Sequence, residues 1–197
     1  RCSAGVKVLG EGSHRIENVT AALGDKGFSP GGEGFVVESD RNLLSGNTAL
    51  QNSAQGFRLV GADRNRLIGN RAFFNGRSGF EVVVGRRNLL RGNLSKDNSF
   101  AGFTLDGGPF TPGGGRNKDE GNLTSGNAQG FFVNSEEGSR LTGNVADTNR
   151  DDGIFVVVSR SVRLTKNEAN DNGGTGVVGL ASNDTPILRN TALKNDR

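Results

Sequence analysis

The chain has 197 residues with 24 Lys and Arg against 21 Asp and Glu, a net charge of +3, 32 glycines, one cysteine, one histidine and no Met, Trp or Tyr. One cysteine cannot form an internal disulfide, and so few His, Cys and Met residues leave a soft or imidazole-rich metal site without ligands, so no metal and no cofactor is expected. No apolar run approaches the roughly 18 residues of a spanning helix, and the cations are scattered through turns without an aromatic platform, so neither a membrane span nor a nucleic-acid partner is expected.

The chain opens on Arg1 rather than Met, which points to removal or omission of an upstream segment such as a signal peptide and to an extracellular or periplasmic location. Cys2 has no positioned base and reads as an incidental terminal residue. A first coil starts at Gly5, with His14 in a turn and Asn18 as its asparagine. Gly27-Phe28 and Gly34 are two competing starts for the next coil, so residues 28–33 read as an inserted loop.

From there a frame of about 23 residues takes over. Glycines that open apolar strands stand at Gly34, Gly56, Gly79, Gly102, Gly130, Gly153 and Gly176, in steps of 22, 23, 23, 28, 23 and 23. The long step holds a second insertion, residues 107–113, directly after Asp106. Each coil also carries two asparagines five residues apart, from Asn47/Asn52 through Asn70/Asn75, Asn93/Asn98, Asn122/Asn127, Asn144/Asn149 and Asn167/Asn172 to Asn190/Asn195. Such a period means stacked coils in which a residue's neighbours lie one repeat away. Within a coil, two or three short period-2 strands are separated by Gly, Asn, Asp and Ser, the residues of positive φ and turn chemistry, and no long 3.6-period stretch occurs.

These features predict an all-β, single-stranded right-handed parallel β-helix of about eight coils, one domain over 1–197, about 38 Å long at ~4.8 Å per coil. Phe57/Leu59, Phe80/Val82, Phe103/Leu105 and Phe131/Val133 should point inward. So should a column of Leu44, Leu67, Leu90, Leu141, Leu164 and Ile187, and a small column from Ala49 to Ala192. The sequons at Asn18, Asn93 and Asn122 coincide with ladder positions and read as repeat consensus.

The pattern Gly-Phe/Ile-x-Val, then Asn-x-Leu-x-Gly-Asn-x-Ala and a second Asn, resembles the right-handed parallel β-helix repeats of carbohydrate-binding and sugar-hydrolase proteins. That superfamily holds pectate-lyase-like enzymes, alginate epimerases and copper-site maturation proteins of the nitrous-oxide reductase system. The resemblance covers roughly residues 5 to 197. It implies the fold, and it implies that a polysaccharide lies along the outward face of the main sheet. No catalytic motif of one member family is present, and fold does not give function.

Two columns should face outward on that sheet. One runs Lys7, Val36, Arg58, Glu81, Thr104, Phe132, Phe155, Val178; the other runs Leu9, Glu38, Val60, Val83, Asp106, Asn134, Val157, Leu180. Arg58, Glu81, Thr104, Asp106 and Asn134 fall on four successive coils and are the candidate ligand contacts. Glu81, Asp106 and Arg58 are the catalytic candidates, because Glu81 and Asp106 should have Cα atoms roughly 8 Å apart, compatible with an inverting carboxylate pair; Arg58 and Glu81 also read as a plain surface ion pair. Phe132, Phe155, Val157, Val178 and Leu180 form an outward apolar patch, a candidate interface for a homo-oligomer or a missing segment. Three functions stay open: a carbohydrate-binding or scaffold module presenting this face to a glycan or protein; a polysaccharide lyase, glycoside hydrolase or epimerase on an acidic polysaccharide; and a structural oligomeric surface or fibre element. Whether the protein is an enzyme is left undecided by the sequence.

Overall fold

The computed structural model describes residues 4–22, 32–108 and 114–196. Cys2, residues 28–31 of the first expected insertion and 109–113 of the second lie outside the described residues. Three parallel sheets run the length of the stack. Sheet A is formed by Ala4–Val8, Glu33–Val37, Phe57–Val60, Phe80–Val83, Ala101–Asp106, Gln129–Asn134, Ile154–Val157 and Val177–Leu180. Sheet B begins at Arg15–Glu17 and Leu43–Ser45, continues through Arg66–Ile68 and Lys118–Glu120, and ends at Ile187–Leu188; sheet C holds the short strands from Thr20–Ala22 to Val145–Asp147. Each strand pairs with its equivalent one coil away, so the fold is a parallel β-helix.

The bends between sheets explain the asparagines. Each asparagine of the two legible columns follows a left-handed residue, such as Gly69 at φ 63° before Asn70 or Phe74 at φ 54° before Asn75. The left-handed residue turns the chain, and the asparagine side chain points inward where the ladder of the sheet is interrupted. The Asn70 side-chain Nδ2 donates to the Leu44 carbonyl on one neighbouring coil at 2.9 Å and to Asn93 Oδ1 on the other at 3.1 Å, while the Asn47 and Asn70 backbone N–H groups donate to the next Oδ1 at 2.9 Å. One amide therefore ties three coils together and satisfies backbone groups that burial would otherwise leave unpaired.

A third ladder, not read from the sequence, stands five residues before the first. Asn42, Asn65, Asn88 and Asn117 are all buried and each backbone N–H donates to the next member's side chain, ending at Ser139 Oγ at 3.0 Å. The assignment of Asn18 to the first ladder is corrected: Val19 N donates to Asn47 Oδ1, so Val19 holds the ladder register, and Asn18 at φ 54° takes the left-handed position that Gly46 fills one coil later.

Between the ladders the core is a set of one-dimensional stacks. Phe35, Phe57, Phe80, Phe103 and Phe131 are 0–1% exposed and stacked, with successive ring centroids 4.5–4.9 Å apart and ring planes nearly parallel. Leu44, Leu67, Leu90, Leu141 and Leu164 form the second stack; Ile187 is 49% exposed, because no further coil covers it among the described residues. The strand-opening glycines permit this closeness: a Cβ on Gly130 would lie 2.3 Å from the Gly153 carbonyl oxygen. Replacing Asn93 by Leu strips the acceptor from Asn70 and the donor from Leu67 O and Asn122 Oδ1. We expect Asn93→Leu to cost about 3 kcal/mol or more, and Asn190→Leu, at the end of the ladder, clearly less; equal denaturation midpoints for the two variants would contradict the ladder's role.

Candidate functional site

Sheet A places its outward columns in the expected register, with Val36, Arg58, Glu81, Thr104, Phe132, Phe155 and Val178 in one line and Val60, Val83, Asp106, Asn134, Val157 and Leu180 in the other. The polar members divide into two groups. Arg58 bridges two carboxylates, with Nε 2.9 Å from Glu81 Oε2 and Nη1 3.3 Å from Glu33 Oε1, and Gln55 Nε2 donates to the same Glu81 oxygen at 2.8 Å. Asp106 instead accepts from Asn134 Nδ2 at 3.2 Å and from the Gly108 N–H at 3.0 Å. Among the described residues no hydrogen bond or ion pair joins Asp106 to Arg58 or Glu81. Thr104 lies between the groups, 5% exposed, its hydroxyl 2.8 Å from that of Ser78. Glu33 and Gln55, which reach the cluster from the strand entry, were not identified from sequence; both stand immediately before a strand-opening glycine, Gly34 and Gly56, in a column just outside the two read as outward.

Beside the Arg58–Glu81 pair the surface is concave. A cavity of about 350 Å³ is lined by Gln55, Arg77, Ser78, Glu81 and Phe100. Phe100 is 42% exposed and meets Phe132 edge to face at 5.7 Å, and Phe132 lies 5.8 Å from Phe155. The apolar patch thus continues the cavity as an aromatic row. Its remaining members grade outward, Val157 and Val178 half-buried and Leu180 56% exposed. His14, the single histidine, lies in the turn before Arg15 on the first coil, with Nε2 2.9 Å from the Leu9 carbonyl oxygen.

Two buried carboxyls escaped sequence reading. Asp119 occupies the leucine column between Leu90 and Leu141, fully buried, and among the described residues neither of its oxygens has a hydrogen-bond partner. Burial, reinforced by the charges of Glu136 and Glu120, pushes its pKa well above the ordinary carboxylate range. Glu136 is 1% exposed and ends the third ladder: it accepts from Asn117 Nδ2 at 3.2 Å and from the Ser139 hydroxyl, filling the space left where serine replaces asparagine. Burial raises its pKa to about 7 against the opposing pull of those two hydrogen bonds. The signal for Asp119 was present in the sequence as a break in the leucine column, one 23-residue frame plus the insertion after Leu90.

The sequence pattern of the right handed beta helix region family matches residues 1–113, more than half of the 197, and the chain belongs to that family. The pattern of the periplasmic copper-binding protein (NosD) family matches residues 106–197. That stretch contains no His, Cys or Met, and among the described residues no three His, Cys, Asp or Glu side chains converge on a point where a metal would sit, so its donors do not fit copper. No curated protein matches the chain in sequence. In structure it is similar to the periplasmic alginate epimerase AlgG, with a TM-score of 0.68 at 20% identity over 83% of this chain and 47% of the epimerase. It is similar also to the A-module of the Azotobacter vinelandii mannuronan C-5 epimerase AlgE4, at 0.55 and 12% over 82% and 60%. The Dettilon tailspike protein gives 0.59 and 16% over 96% and 40%. The chain spans 40–60% of the length of these three proteins, and the likeness carries the right-handed β-helix fold. No helix among the described residues is long and apolar enough to cross a membrane.

The buried carboxyls set a pH dependence whose sign is fixed. Both have folded-state pKa values raised above their unfolded ones, so the neutral forms stabilise fully below the ordinary carboxylate range near ~4, and that stabilisation is lost as pH rises through about 7 for Glu136. We expect stability to fall on the order of 2–4 kcal/mol from pH 5 to pH 8. Glu136→Gln should flatten that slope, and Asp119→Leu should raise the unfolding midpoint at neutral pH by restoring the leucine column. A wild-type melting temperature that climbs over this range would contradict both assignments.

Proposed function

We propose that the protein is a polysaccharide-binding β-helix module whose ligand lies along the outward face of sheet A. The observation that carries this reading is the adjacency of a charged, amide-bearing cluster, Glu33, Gln55, Arg58 and Glu81, to an open row of aromatic rings, Phe100, Phe132 and Phe155, across one cavity. Sugar rings present apolar faces and hydroxyl edges, and such a surface offers each a partner: ring faces to the phenylalanines, hydroxyls to the carboxylates, guanidinium and amide. Arg58, Glu81, Asp106 and Asn134 are the proposed contacts, with Thr104 supporting the floor through Ser78. The structural neighbours named as epimerases favour the same substrate class. They also keep a second reading in view, an epimerase, lyase or hydrolase using Glu81 and Asp106, the two carboxylates on adjacent coils of this face. A periplasmic or extracellular site of action accompanies either reading.

The test is a panel of neutral and acidic polysaccharides, scored for binding, for new reducing or unsaturated ends and for inverted sugar configuration in the recovered glycan. Binding without new ends or inversion is expected, and Phe100→Ala combined with Phe132→Ala should weaken it on the order of tenfold. Affinity unchanged in that double variant removes the face from consideration, and new ends or inversion lost in Glu81→Gln establish the enzyme reading. If light scattering instead finds a wild-type oligomer that Phe132→Ser/Phe155→Ser dissociates, the row with Val157, Val178 and Leu180 is an interface between copies.

A further inference from the structure

A second charged surface lies around the bend from sheet A to sheet B. Scattered in sequence, Arg41, Arg64, Arg87 and Arg116 come onto successive coils: the backbone N–H of each donates to the carbonyl preceding the equivalent residue of the next coil, at 2.8–3.1 Å. All four are exposed and all four are left-handed, at φ 54–57°. Arg66 and Lys118, each two residues further along its coil, carry the stripe onto the outer face of sheet B, where both are exposed. A cavity of about 280 Å³ opens in the middle of the row, lined by Arg64, Arg86, Arg87 and Arg116 with Asp63 and Glu137. One Asp63 oxygen is already taken by the Arg86 backbone N–H at 2.8 Å.

The fold does not call for these side chains. A left-handed bend is met with less strain by glycine, and Gly138, at φ 68°, holds the position on the coil after Arg116. Stacking like charges one strand spacing apart is destabilising. None of the six stripe cations, nor Arg86, has an ion pair among the described residues. Asp63 and Glu137 stand at the cavity but form no ion pair with these cations among the described residues, and an arrangement that costs stability with so little compensation points to an anion from outside the chain.

The geometry selects among polyanions. The row offers one guanidinium per coil, a repeat of ~4.8 Å, comparable with the advance of one sugar unit in an extended glycan bearing one acidic group per residue. Guanidinium forks hold carboxylates and sulfates bidentately. Among the described residues no aromatic side chain lines the cavity to stack on bases, and the winding strands of a duplex would leave a row of one cation per coil after a few contacts. We propose that this arginine row is a second binding surface, separate from the sheet A face, for a linear anionic glycan bearing carboxylate or sulfate groups.

Retention of the full chain on heparin, polygalacturonate, neutral dextran and duplex DNA, followed across a salt series, tests this. Heparin or polygalacturonate should be bound in a strongly salt-dependent way, the two arms separating sulfate from carboxylate recognition, and dextran should not. Arg64→Asn/Arg87→Asn/Arg116→Asn keeps residues suited to left-handed bends, so its unchanged circular dichroism verifies the fold. It should lose tenfold to a hundredfold in affinity, about a factor of a few for each exposed charge-assisted contact, with a shallower salt dependence. The matching Lys triple should keep the salt dependence and lose part of the affinity. Phe100→Ala/Phe132→Ala should lower only the salt-insensitive part of the retention and the Asn triple only the strongly salt-dependent part, which separates the failure of this proposal from that of the sheet A reading. Equal binding by the Asn triple, no binding to either anionic glycan, or tighter binding to duplex DNA than to both would overturn the proposal.

Discussion

The constraint on which this molecule rests is the unpaired backbone at each bend. A coil of some 23 residues must turn sharply between three sheets, and at every turn the strand-to-strand ladder stops while the chain is still buried. An inward asparagine after a left-handed residue answers this three times per coil over the middle of the stack: it brings two donors and an acceptor to a place where backbone groups would otherwise be orphaned. Because the amides of the first two ladders also bind amides on neighbouring coils, they fix the register of those coils to the residue. The phenylalanine and leucine stacks are consequences of that register, and so are the outward columns on which any ligand must act.

This division explains what was legible. The period and the stacking of two asparagine columns follow from spacing alone, since a residue that recurs at the same step in every coil must meet itself; spacing allows two or three strands per coil, and the structure has three sheets. Asn18 misled because asparagine suits both the left-handed position and the ladder position next to it, and only the bond from Val19 to Asn47 decides between them. The third ladder was obscured because it is broken, passing from Asn117 to Ser139 and then to Val162. The exposure of Ile187 depends on what stacks beyond it, which periodicity cannot express.

The candidate site was legible to a lesser degree. The Arg58–Glu81 contact follows from column and coil, and its geometry is that of a neighbouring pair on adjacent strands. Whether Asp106 joins them depends on side-chain direction, and its carboxyl turns instead to Asn134 and Gly108. The arginines were counted as scattered because they stand 23 or more residues apart along the chain; stacking converts that distance into one strand spacing. Charge clustering in a solenoid has to be read down columns, across the sequence rather than along it.

The coils between Gly102 and Ser139 concentrate the departures from the repeat. The longest step between strand glycines falls there, the third ladder ends there on Glu136, Asp119 interrupts the leucine stack, and Gly114 and Gly115 help to line the arginine cavity. The buried acid and the gap in the ladder each cost something a regular repeat would avoid. Regular coils above and below can carry that cost because solenoid stability is shared between neighbours, each coil supported by the two it touches. A strained central segment braced by regular coils is where a stacked fold can hold local irregularity without unravelling. Both outward surfaces, the sheet A cluster and the arginine row, border that segment.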